Sequence, residues 1–221
     1  MTTKEDIETI YPAGKLTLVC GCSMMGKTTT AISIAMKEAK SGVLGILFSL
    51  EKEVKEMHGI MMKQSDAQDF INNIAIDASH ELTVEEVIER AVWSSSVSDE
   101  VPMSFIVIDY VNLLTSVKES ESRDEELAKI LETLGDYAKT SGIAVVAMYQ
   151  MSKETSLPMP IQSYINSGRD NLQLGIIEDK RHLYCAEDYN ALETSFITFY
   201  EPADFENAWK AHFGSWYDSM K

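Results

Sequence analysis

The octapeptide Gly21-Cys22-Ser23-Met24-Met25-Gly26-Lys27-Thr28 leaves a folding chain few choices. It follows an apolar run, Leu16–Cys20, and opens a segment of helical character from Thr28 onward. Its two glycines let the backbone curl so that successive amide N–H groups point inward at one centre. The helix that follows aims the positive end of its dipole at the same place. A turn built this way cradles phosphate oxygens. The spacing is G-x-x-x-x-G-K-[ST], in which Lys27 reaches the β- and γ-phosphates and the Thr28 hydroxyl ligates Mg²⁺. Average composition would produce the pattern by accident in about one chain in a hundred of this length. The phosphate-binding set is therefore Gly21, Cys22, Ser23, Met24, Met25, Gly26, Lys27 and Thr28, with ATP and Mg²⁺ as the ligands it predicts.

Short apolar runs alternate with helical patterns along the rest of the chain. Leu16–Cys20, Val43–Phe48, Ile74–Ile76, Phe105–Ile108 and Ile143–Tyr149 are nearly continuous apolar stretches, the composition of strands buried on both faces. In Ser122–Thr140, Leu127, Ile130, Leu131, Leu134 and Ala138 recur at three and four, and a helix there should end at Ser141-Gly142. Thr83-Val84-Glu85-Glu86 is a capping-box pattern that opens another helix. This alternation predicts an α/β fold with a mostly parallel sheet flanked by helices on both faces. After Tyr149 the pattern loosens. Ser152–Asn171 reads as a long loop, His182–Cys185 and Phe196–Tyr200 as two closing strands, and Phe205, Trp209, Phe213 and Trp216 as the aromatic stripe of a last helix. Nothing divides the chain, which is expected to be one domain over 1–221, with its core at about 11–200 and a helical tail over 201–221.

A phosphate-bound cation needs an acidic partner at the end of a later strand. Ser104-Phe105-Ile106-Val107-Ile108-Asp109 supplies it, which makes Asp109 the second metal residue beside Thr28. Hydrolysis further needs a group that orients or deprotonates water. Glu51, after the apolar run Val43–Leu50, stands at the sheet edge where ligands of α/β proteins bind. Spacing alone leaves it equally readable as a helix-start acid favoured by the dipole. Gln150 ends Ile143–Tyr149, where an amide would sense the γ-phosphate; position alone does not settle that role either.

Charge limits the partners. Nineteen Lys and Arg against 35 Asp and Glu leave a net charge of −16, a surface that repels nucleic acid unless a local basic patch or a basic partner intervenes. No apolar run reaches the ~18 residues of a membrane span. The acidic, polar start is not a secretory signal, and three cysteines suit a reducing, cytoplasmic setting without disulfides.

Taken in order, these segments resemble the RecA-like ATPase domain of DnaB-type replicative helicases. The resemblance rests on Ser23-Met24-Met25-Gly26-Lys27-Thr28-Thr29, Phe48-Ser49-Leu50-Glu51, Ile106-Val107-Ile108-Asp109-Tyr110 and Val145-Val146-Ala147-Met148-Tyr149-Gln150. Ile76-Asp77 with Leu82–Glu86 is similar to the family's short strand and next helix, and Gly175–Asp179 and Tyr184–Tyr189 are more loosely similar to a later segment. It implies a RecA-like P-loop NTPase fold, with Thr29 added to the nucleotide site. It also makes Glu51, Lys27 and Gln150 the catalytic set: Glu51 polarises water, and Gln150 is a γ-phosphate sensor coupled to DNA-facing loops. The family works as rings that hold single-stranded DNA in a central channel, so the resemblance implies a homo-oligomer or a partner helicase or recombinase, in DNA replication or recombination.

The departures point to an alternative. About ten residues precede the first strand, where the family has a further domain and a linker helix. Where the family has a Lys-x-Arg finger, Phe196–Tyr200 is followed by Glu201-Pro202-Ala203-Asp204; Lys180-Arg181 lies upstream. The loop expected to face DNA balances Lys153 and Arg169 with Glu154 and Asp170, and offers Tyr164 as one stacking surface. These features fit a RecA-like nucleotide switch that regulates a helicase or recombinase without unwinding DNA itself.

Overall fold

The computed structural model describes residues 11–22, 27–63, 67–97, 103–151, 172–179 and 182–186, with backbone alone at 22, 97, 172–179 and 182–186. The elements, in chain order, are β1 (Leu16–Cys22), α1 (Lys27–Lys40), β2 (Leu44–Ser49), α2 (Val54–Met61), β3 (Ile74–Asp77), α3 (Val84–Val97), β4 (Met103–Asp109), α4 (Arg123–Ser141), β5 (Ala144–Met151), β6 (Leu172–Asp179) and β7 (His182–Ala186). The seven strands form one sheet in the order β3-β2-β4-β5-β1-β6-β7. Every pairing from β3 to β6 is parallel, and β7 closes the far edge antiparallel to β6.

The continuous apolar runs are explained by what covers the sheet. Side chains alternate along a strand, so a run that is apolar at every position needs a core on each face. In β4, Ile106 and Ile108 pack with Val84 and Val87 of α3 and Leu127, Ile130, Leu131 and Leu134 of α4. The alternate residues Phe105 and Val107 pack with Ala31, Ile32 and Ala35 of α1 and Met57 and Met61 of α2. Val145 and Ala147 of β5 belong to the first core, Val146 and Met148 to the second. Each fully buried Leu, Ile or Phe contributes about 1.5–3 kcal/mol, so these two layers hold the sheet. Gly45 of β2 lies directly opposite Phe105, and a Cβ there would meet the Phe105 ring at 2.2 Å. The missing side chain is what lets the ring lie over β2.

The helix ends follow the expected chemistry. At α3 the Thr83 N–H donates to Glu86 Oε2 at 2.8 Å and the Glu86 N–H donates to Thr83 Oγ1 at 3.2 Å, a reciprocal capping box. Ser122 Oγ caps α4 by accepting from the Glu125 N–H at 3.2 Å. Asp124, Glu125 and Glu126 add negative charge to that first turn. The helix stops at Gly142, whose φ of 73° is left-handed and whose N–H donates to the Ala138 carbonyl.

Expected strands and helices are found among the described residues, with ends shifted by a residue or two. Two elements were not anticipated. The short helix α2 has only Met57 and Met61 to mark its buried face. Strand β6 (Leu-Gln-Leu-Gly-Ile-Ile-Glu-Asp) lacks a continuous apolar run. The loop over 152–171, Lys180-Arg181, the strand Phe196–Tyr200 and the aromatic helix beyond it lie outside the described residues. Among the described residues, no helix is long and apolar enough to cross a membrane.

Candidate functional site

Four neighbouring parallel strands, β2, β4, β5 and β1, bring their C-terminal ends together along one edge of the sheet. Ser49 of β2 lies opposite Asp109 of β4, Asp109 opposite Met148 of β5, and Gln150 of β5 opposite Gly21 of β1. The order matters, because the strand carrying Gln150 next to its last residue sits between the strand that leads into residues 23–26 and the strand ending in Asp109. The edge is thus continuous from the segment that holds Glu51 to the one that starts at Gly21.

Lys27 is the first residue of α1 and is 5% exposed, while Thr28 and Thr29 in the same turn are half-buried. Ser23, Met24, Met25 and Gly26 lie outside the described residues. Asp109, at the end of β4, is 1% exposed, and neither of its carboxylate oxygens has a hydrogen-bond partner among the described residues. Burial pushes its pKa up to about 6; the Thr28 hydroxyl opposes that, Glu51 adds to it, and the positive charges of Lys27 and Lys52 act against it. A carboxylate in this state is costly unless a cation arrives. The donor set suits Mg²⁺, which takes one or two protein oxygens and fills its remaining positions from phosphate and water. Among the described residues, no group of three or more His, Cys, Asp or Glu could hold a metal ion.

Glu51 sits in the bend that leaves β2, and three bonds pin that bend. The Leu50 N–H donates to the Asp109 carbonyl at 2.8 Å, Ser49 Oγ donates to the Lys52 carbonyl at 2.7 Å, and His80 Nδ1 bonds the Leu50 carbonyl at 3.0 Å. Since a carbonyl only accepts, Nδ1 carries the proton. That bond, with the Glu53 carboxylate beyond Nε2, raises the His80 pKa. The Glu51 carboxylate is exposed and accepts from Tyr110 Oη at 3.4 Å. Tyr110 follows Asp109 through a cis peptide. Burial, with Glu51 and Asp109 nearby, raises the pKa of its phenol.

The described residues of the sequence-derived set, Gly21, Cys22, Lys27, Thr28, Thr29, Glu51, Asp109 and Gln150, therefore all lie at this edge. Two further neighbours had no assigned role. Tyr110 was visible only as part of the Ile106–Tyr110 stretch. Asn112 bonds the Gln150 backbone, and nothing in its spacing announces a contact 38 residues away.

Residues 56–159 match the DnaB-like helicase C terminal domain family. The matched segment includes Asp109, Tyr110, Asn112 and Gln150, and begins after the phosphate loop and Glu51. The fold resembles that of a chain described as a DnaB-like replicative helicase in a study of its interactions with primase, with a TM-score of 0.65 and 17% identity over 80% of this chain. This chain spans about half of that protein, 55% of its length. A second solved structure, described as an ATPase domain, is similarly alike, with a TM-score of 0.64 and 17% identity over 80% of this chain and 81% of that one. No curated protein sequence matches the chain. The segment 56–159 and the fold are thus similar to those of DnaB-like helicase C-terminal domains.

Proposed function

We propose that this chain binds ATP with Mg²⁺ at the sheet edge and hydrolyses it, as the ATPase unit of a DnaB-like assembly acting in DNA replication or recombination. The observation that carries this reading is Asp109: a buried carboxylate with both oxygens unpartnered among the described residues, beside Lys27 and Thr28. In this reading the loop from Gly21 to Thr29 holds the triphosphate, with backbone N–H groups on its oxygens and the Lys27 ammonium on the β- and γ-phosphates. Thr28 and Asp109 would hold Mg²⁺, which when bound would supply positive charge to the phosphate oxygens; the bond that breaks is the one from the γ-phosphorus to the β–γ bridging oxygen. Glu51 accepts a proton from the attacking water as its oxygen bonds to the γ-phosphorus, and Tyr110 limits where that carboxylate can turn. Gln150 reports the γ-phosphate to the segments beyond β5. The cytoplasm, a homo-oligomeric ring and single-stranded DNA as a partner belong to the same proposal, supported by the family match.

Lys27→Ala should abolish binding of a fluorescent ATP analogue, since the principal charge on the phosphates is gone. Glu51→Gln should keep affinity within a few-fold and lower single-turnover hydrolysis by about 100-fold or more. Undiminished turnover in Glu51→Gln would remove Glu51 from the chemistry. Hydrolysis and solution mass measured with and without single-stranded DNA test the motor. A monomer that binds ATP and ignores DNA would instead be a nucleotide switch.

A further inference from the structure

The turn that leaves β4 contains a side chain that the chemistry above does not use. Pairing of β4 with β5 ends at Asp109, opposite Met148. On its other side β5 continues in register with β1, placing Gly21 opposite Gln150 and Cys22 opposite Met151. Beyond Met148, therefore, β5 has no strand neighbour on the β4 side among the described residues. Asn112 takes that place. Its Oδ1 accepts from the Gln150 N–H at 2.7 Å, and its Nδ2 donates to the Gln150 carbonyl at 3.1 Å. One side-chain amide thus makes the donor and the acceptor bond that a neighbouring strand would make.

The turn that carries Asn112 is itself fixed. Arg123 Nη2, at the start of α4, donates to the carbonyls of Asn112 and Leu114, both at 2.6 Å. The same Arg123 pairs with Glu126, which accepts from the Ser116 N–H at 2.9 Å. Thr115 is bound to the entrance of α3 by its N–H to the Leu82 carbonyl at 3.1 Å and by the Val84 N–H to its own carbonyl at 2.8 Å. Asn112 is therefore presented from a frame anchored to two helices rather than from a free loop.

We propose that Asn112 is a positioning residue: its amide completes β4 in side-chain form and fixes Gln150 in register with the first glycine of the phosphate loop. The proposal rests on the reading of Gln150 as the γ-phosphate sensor. Only an amide of this length serves. Aspartate accepts from the Gln150 N–H but cannot donate to its carbonyl, and alanine does neither.

The test compares wild type, Asn112→Ala, Asn112→Asp, Gln150→Ala and the double variant Asn112→Ala/Gln150→Ala. Three quantities are measured: hydrogen exchange of the Gln150 amide, affinity for a fluorescent ATP analogue, and single-turnover hydrolysis. In Asn112→Ala the amide should exchange about tenfold faster or more, affinity should stay within about threefold, and hydrolysis should fall about tenfold or more; Asn112→Asp should keep amide protection and lie between in rate. The double variant should be no slower than Gln150→Ala alone, since the two residues act as one unit. Wild-type turnover in Asn112→Ala, affinity falling in step with rate, or an additive double variant would overturn the proposal. If the wild type hydrolyses no ATP, the functional reading fails by itself. The clamp then stands or falls on amide exchange, with unchanged protection in Asn112→Ala overturning it.

Discussion

Asp109 shows what a single buried carboxylate costs and what it prepares. Its pKa of about 6 lies above the ordinary 3.8, so the folded state holds this proton more tightly than the unfolded chain does. Stability from this group is complete below pH ~4 and is lost as pH rises through about 6, a total of about 3 kcal/mol for a shift of this size. Asp109→Asn removes the titration. In EDTA, urea denaturation should find the variant more stable than wild type at pH 7.5 and similar to it at pH 4, while the protection that Mg²⁺-ATP gives wild type disappears. Parallel pH profiles for the two proteins would contradict the burial of this charge. In the proposed reading, the stability given up in the empty state would be regained when a cation binds.

At the scale of elements, the helices are positioned by their ends as much as by their faces. Gly142 stops α4 one residue before Ile143, whose carbonyl accepts from the Gly14 N–H at 3.2 Å, so this cap sets where the chain enters β5. Gly142→Ala places a Cβ in left-handed backbone and should cost about 1 kcal/mol, read as a lower urea midpoint with an unchanged m-value. Thr83→Ala removes one half of the α3 capping box and should cost a similar amount, about 1 kcal/mol. The second loss extends further than the cap. Thr83 and Thr115 form a bridge, so loosening α3 loosens the turn that presents Asn112. Denaturation midpoints and Gln150 amide exchange, measured together, separate these effects: Gly142→Ala should move the midpoint alone, and Thr83→Ala both.

For the whole molecule the dominant quantity is a net charge of −16. Copies of such a chain repel one another, and salt screens that repulsion over a Debye length that falls from ~10 Å at 0.1 M to ~3 Å at 1 M. Self-association with ATP and Mg²⁺ should therefore strengthen as salt rises from about 0.05 to 0.3 M, whereas binding to single-stranded DNA should weaken. Sedimentation velocity at the two salt concentrations checks the first and fluorescence anisotropy of a labelled oligonucleotide the second. Assembly that weakens with salt would mean that attractive charge pairs at the interface outweigh the global repulsion.

Sequence by itself determined the parts of this site whose chemistry is local. The apolar run ending in Asp109, the capping box at Thr83 and the glycine stop at 142 each follow from residues within one turn or one strand, where spacing and side-chain type set the backbone, and the Gly21–Thr28 pattern is legible from its spacing alone. The alternation of apolar runs with amphipathic segments likewise fixed the α/β class, because strands buried on both faces demand helices on both. Tertiary structure alone decided the order of those strands. Placing β5 between β1 and β4 puts Gln150 opposite Gly21 and hands Asn112 its partner, and no periodicity encodes which strands become neighbours. It also decided that the Asp109 carboxylate is left without a hydrogen-bond partner among the described residues, and that Tyr110 reaches Glu51 across 59 positions of chain. The motif Gly21–Thr28 predicts a phosphate ligand from spacing alone, whereas Glu51, Asp109 and Gln150 reach the same sheet edge through long-range packing, which short-range patterns do not carry.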